Sequence, residues 1–115
     1  MILTARELDC QLIWNAHSGF APTAGVPDKF VDDLRVKKKL TDLSDKESAV
    51  INYGREFIRT HRVSQTTVDA AQARLGTLGL VELTNIMGYY SSLVFNIKAF
   101  DVGLPDTLIE LRLPI

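Results

Sequence analysis

Most of the side chains able to do chemistry in this protein fall in one short stretch. Between Glu7 and His17 lie the single cysteine, Cys10, the single tryptophan, Trp14, and one of the two histidines. A thiolate is a nucleophile and an imidazole carries protons near neutral pH, so thiol chemistry and general acid/base work are the two classes in view. No Gly or Pro interrupts Ala5–His17. The spacing therefore predicts one continuous helix from the N-terminus to about His17. At 100° per residue, Glu7, Cys10, Trp14 and His17 follow at intervals of three, four and three and share a face.

Geometry limits that face. Cys10 and His17 would be two turns apart, on the order of 10 Å along the axis, too far to touch without a water, a substrate or another element. One turn before His17 stands Ile13, which cannot exchange a proton. A competing reading is structural: Cys and Trp on a helical face are commonly core residues, and a His beside Trp can simply be packed there. His61 sits just before an expected turn between helices, where the helix dipole alone accounts for it.

Other chemistries lack their residues. The chain has no Gly-rich phosphate loop followed by Lys, no HExxH, no GxSxG and no metal-spaced Cys/His cluster, so no cofactor and no metal is implied. The net charge is −1, which argues against nucleic acid as a partner. A lone Cys forms no intrachain disulfide and the N-terminus has no signal-peptide pattern, so a cytoplasmic location is expected.

The elements that would position these groups read as helices. Pro27 and Asp28 open one, with Phe30, Val31 and Leu34 as its buried stripe, and Lys37-Lys38-Lys39 mark a solvated end. Ser44-Asp-Lys-Glu47 is a capping box opening a helix with Val50, Tyr53 and Phe57 on one side. Ser64 caps the next, and Gly76 is placed to close it. From Leu78 to Phe100, Leu80, Leu83, Met87, Tyr90, Val94 and Ile97 make a seam, yet Val81, Ile86, Tyr89, Leu93 and Phe95 cover much of the rest. Such a helix must be buried on nearly all sides, and so small a domain completes that burial by self-association. Glu82, Asn85, Asn96 and Lys98 leave it short of a membrane span, so no membrane is expected. In the tail, Ile109, Leu111, Leu113 and Ile115 alternate, as an extended strap does, and a neighbouring subunit is its expected surface.

These residues resemble the carboxymuconolactone decarboxylase / AhpD-like (alkylhydroperoxidase-like) family. Arg6-Glu7-Leu8-Asp9-Cys10-Gln11, Trp14 and Ala16-His17 look like its active-site helix. His61-Arg-Val-Ser64, Gly79-Leu-Val-Glu-Leu83, Gly88-Tyr-Tyr90 and Ala99–Pro105 follow in the family's order. The resemblance implies an all-α helical bundle over residues 1–105, followed by the extended tail 106–115, assembled as a homo-oligomer, commonly a trimer or hexamer. It also marks departures. Ile13 stands where the peroxidase branch has its second Cys and where other relatives carry Glu. A further family Glu, twelve residues before the first Cys, would precede Met1, so the chain is expected to lack the N-terminal part of the family domain.

Three functions follow. In the first, a cofactor-free decarboxylase-like lyase acts on a small carboxylated lactone or related acid, with His17 moving protons, Cys10 the second catalytic candidate, and Trp14, Glu7, Tyr89, Tyr90 and His61 around the substrate. In the second, an oligomeric binding or structural member has lost its catalytic parts. The third, a thiol peroxidase, lacks the second thiol needed to resolve an oxidised Cys10 within the chain.

Overall fold

The computed structural model describes all 115 residues and is all-helical. Five α-helices follow in order: α1 (Ile2–Glu7), α2 (Gln11–His17), α3 (Asp28–Arg35), α4 (Asp45–Thr60) and α5 (Gln65–Ala99), with two 3-10 turns between α2 and α3. No helix is long and apolar enough to cross a membrane.

The expected single N-terminal helix is two helices. The break is a C-terminal capping motif built without glycine. Asp9 takes a left-handed backbone (φ 50°), its amide bonds to the carbonyl of Arg6, and the amide of Cys10 bonds to the carbonyl of Ala5 at 2.8 Å. That paired pattern is the one glycine usually supports, and aspartate tolerates it because its short polar side chain bonds locally. Here the Asp9 carboxylate pairs with Arg6. The chain turns, and α2 begins anew with Cys10 as its N-cap.

The later helix starts follow their caps. Ser44 and Glu47 form the reciprocal capping box, the Ser44 amide donating to Glu47 Oε2 at 2.7 Å. The Ser64 side chain accepts from the amide of Thr67. Gly76 bends the chain (φ 71°, ψ 172°), but helix resumes at once, so α5 is two helices joined at a kink.

Packing divides into two cores. The larger joins Leu3, Ala5, Cys10, Ile13, Trp14, Leu34, Ile51, Val94 and Leu113, so every helix and the tail contribute. The smaller joins Tyr53, Ala71 and Met87 between α4 and the kinked α5. Gly54 lets α1 and α5 both rest on α4: a Cβ there would lie 2.7 Å from Leu3 Cδ2 and 3.4 Å from Met87 Cε.

The seam on α5 faces inward as its spacing predicts, with Met87 and Val94 buried and Leu80, Leu83, Tyr90 and Ile97 packed against the two cores. Its other side is bare. Leu78, Tyr89 and Phe100 are 72%, 62% and 77% exposed, because the remaining four helices cover only one flank. The tail has neither helix nor strand, bends at residues 106–107 and 109–110, and in the single chain runs across its own α2.

Candidate functional site

The break at Asp9 leaves Glu7 on α1 and Cys10, Trp14 and His17 at α2. Cys10 and Trp14, at 2% and 1% exposed, are core residues. The indole Nε1–H of Trp14 donates to the carbonyl of Leu111 at 3.1 Å, so its one polar atom is also committed. Cys10 borders a shallow crevice of about 190 Å³ shared with Ile97, Lys98 and Leu104. Neither histidine lines it.

Glu7 turns to α4. Arg59 Nε and Nη2 donate to its two carboxylate oxygens at 2.7 and 2.8 Å, and Arg55 Nε adds a third bond at 3.1 Å. Burial pushes the Glu7 carboxyl up, but the two guanidiniums outweigh it and hold the group below the ordinary glutamate range. It is an ionised clasp between α1 and α4, with both oxygens occupied.

His17 alone keeps the features of a reacting group. It is half-buried at the end of α2, with its ring edge-on to Tyr90, centroids 5.2 Å apart. Tyr89 meets Tyr90 edge-on in turn at 5.4 Å. Burial, and then the charge of the Met1 amino group, hold the imidazole below the usual histidine range, which favours its neutral form. A neutral imidazole accepts a proton, and a tyrosine hydroxyl one ring away can donate one. His61 is elsewhere: it ends α4 in a left-handed conformation (φ 60°), exposed, its amide bonded to the carbonyl of Phe57.

The structure thus brings His17 together with Tyr90 and, through it, Tyr89. Tyr90 also packs against the core that holds Cys10 and Trp14, whereas Glu7 is tied to α4 and His61 lies at the C-terminal end of that helix. No group of three His, Cys, Asp or Glu side chains is arranged to hold a metal.

A different set of α2 side chains makes the densest polar array in the molecule. Gln11 grips Leu113 from both sides, Nε2 donating to its carbonyl at 2.7 Å and Oε1 accepting its amide at 2.9 Å. Asn15 Oδ1 accepts from the amides of Ile109 and Glu110 at 2.9 and 3.2 Å. Arg6 and Arg35 donate to the carbonyls of Pro114 and Arg112 at 3.4 and 3.3 Å. Gln11, Trp14 and Asn15 lie at helical intervals of three and four, hence on one face. Sequence reasoning passed over both amides. The signal was there: an extended tail must satisfy its backbone groups somewhere, and Gln and Asn four apart can supply both donor and acceptor.

Compared with protein-family models, with curated proteins and with solved structures, the chain matches none.

Proposed function

We propose that this protein is a self-associating helical module in which the residues resembling the decarboxylase site have passed into structural use. The observation that carries this reading is the bare flank of α5. Leu78, Val81, Ile86, Tyr89 and Phe100 are all exposed. At 100° per residue they fall within an arc of about 140°, opposite the buried seam. Exposed Glu82, Asn85, Ser92 and Asn96 are interspersed on the same arc, and large apolar side chains set among polar ones are characteristic of an interaction surface, which a second copy presents in turn. The fates of Cys10, Trp14 and Glu7 support the same reading, since each is committed to packing or pairing. Assembly as a trimer or hexamer, as the family resemblance implies, remains part of this proposal.

Light scattering at micromolar concentration is expected to give a mass above that of one chain. Tyr89→Asp together with Leu78→Asp puts one charge in the middle of the face and one at its N-terminal end, and each hot-spot loss of about 1.4 kcal/mol or more weakens association about tenfold. The double variant should therefore be monomeric at the same concentration with an unchanged helical circular dichroism spectrum. A monomeric wild type removes the proposal.

One observation favours a second reading, acid/base chemistry on a small carboxylated lactone: His17, held toward its neutral form, in contact with Tyr90. If it holds, turnover across a lactone panel falls by roughly 10²–10⁴-fold in His17→Ala and stays level in His61→Ala. Full activity in His17→Ala, or none in the wild type, rejects it.

A further inference from the structure

We propose that the face of α2 bearing Gln11, Trp14 and Asn15 is a groove for an extended peptide, and that in the assembled protein it holds residues 109–114 of a second copy, the two chains exchanging tails. This extends the self-association proposed above, but does not depend on which face brings the copies together.

The groove recognises backbone. Five hydrogen bonds join Gln11, Trp14 and Asn15 to main-chain atoms of residues 109–113, and Arg6 of α1 and Arg35 of α3 add one each to Pro114 and Arg112. Only one tail side chain is buried: Leu113 is 4% exposed, whereas Ile109, Leu111 and Ile115 are each at least 65% exposed. A site that reads an extended main chain and one leucine makes the same bonds to the same segment from another copy.

The connector permits the exchange. Between α5 and Ile109 it has no regular structure and is held by a single backbone hydrogen bond, from the amide of Val102 to the carbonyl of Ile97. Asp101 sits in a left-handed turn (φ 49°), a conformation released when the connector straightens. Nine residues from Phe100 to Ile109 span roughly 30 Å when extended. The whole molecule measures 43 × 30 × 22 Å, so the tail reaches a neighbour resting on α5.

The occupant follows from the surface along this path. Phe100 and Val102, at the root of the connector, are exposed and continue the bare α5 flank. A copy seated there covers them and the outward Ile109 and Leu111, which the closed form leaves in water. A foreign peptide gains the groove bonds but not that burial.

Two full-length variants test the exchange. One carries Leu113→Ala, which removes the tail's anchor. The other carries Gln11→Ala and Asn15→Ala, which disarm the groove. Each is unfolded, mixed one to one and refolded with the other, then followed by native mass spectrometry and thermal melting. Exchange predicts a mixed species with one intact groove–tail pair, melting above both parents by roughly 5 °C or more. If the parents fail to fold alone, recovery on co-refolding supports the proposal equally. A mixture that melts as the superposition of its parents, or that recovers nothing, overturns it. Light scattering on the wild type separates the two claims: an oligomer without rescue rejects exchange and leaves self-association standing, while a monomer rejects both.

Discussion

Trp14→Ala is expected to destabilise the protein by about 3–5 kcal/mol, the range for emptying a fully buried large aromatic site. The effect has two sources. The indole fills the middle of the larger core, 1% exposed, among residues from α1, α3, α5 and the tail. It also donates the Leu111 hydrogen bond, so its loss loosens the tail and with it Leu113. Domains of this size hold only about 5–15 kcal/mol in total, so much of the stability is at stake. The expected melting shift is roughly 12–20 °C. Trp14→Phe separates the sources. It keeps most of the apolar volume and loses the donor, so beyond the smaller ring's packing loss it adds about 0.5–1.5 kcal/mol for the hydrogen bond. A Trp14→Ala protein melting within a few degrees of wild type would mean that the indole is not the centre of this core.

Glu7→Ala is the second large effect. Its carboxylate is 5% exposed and accepts three hydrogen bonds from Arg55 and Arg59. Removing it strands two guanidiniums at the junction of α1 and α4. Arg59 is half in solvent and is rehydrated easily, while Arg55 is only 22% exposed and is not. The expected loss is therefore about 2–3 kcal/mol, below the range for breaking a fully buried pair. Glu7→Gln, which keeps two acceptor lone pairs and the shape, should lose less. The clasp also sets a pH dependence. Because the folded carboxyl titrates below the ordinary glutamate range, its contribution is complete above the unfolded value and disappears as pH falls through the folded one. Urea midpoints measured downward from pH 6 should fall below about pH 4.5 in wild type, and more shallowly in Glu7→Gln. Equal slopes in the two proteins would exclude the clasp as the source.

Local signals in the sequence translated well into local structure. The Ser44 capping box, the Ser64 cap and the inward seam from Leu80 to Ile97 are each decided within a few residues. The break at Asp9 escaped because the residue that usually announces it, glycine, is missing, and aspartate in a helical stretch looks like an ordinary exposed charge. That one turn separated Glu7 from Cys10, Trp14 and His17, which stay together at α2. The Glu7 partners lie 48 and 52 residues away, on a helix whose orientation no periodicity reveals. His17 and Tyr90 were each legible as chemistry-bearing residues, but their contact depends on how α2 crosses α5. The tail forms no helix, and its alternation coexists with bends at residues 106–107 and 109–110. That alternation describes a strap without saying what lies beneath it, and within one chain that is α2.

The pairing of α2 with residues 109–114 also dictates when this protein can fold. Trp14 and its partner Leu111 are separated by 97 positions. On a ribosome adding about 5–20 residues per second, α2 therefore waits roughly 5–20 s between its own emergence and that of the segment that satisfies it. Through that interval Gln11 and Asn15 bond to water, and the space Leu113 will fill stands open beside Trp14 and Cys10. The nascent chain is thus an unfinished core until residues 109–114 emerge, and chaperones that shield apolar surface have a defined window in which to act on it.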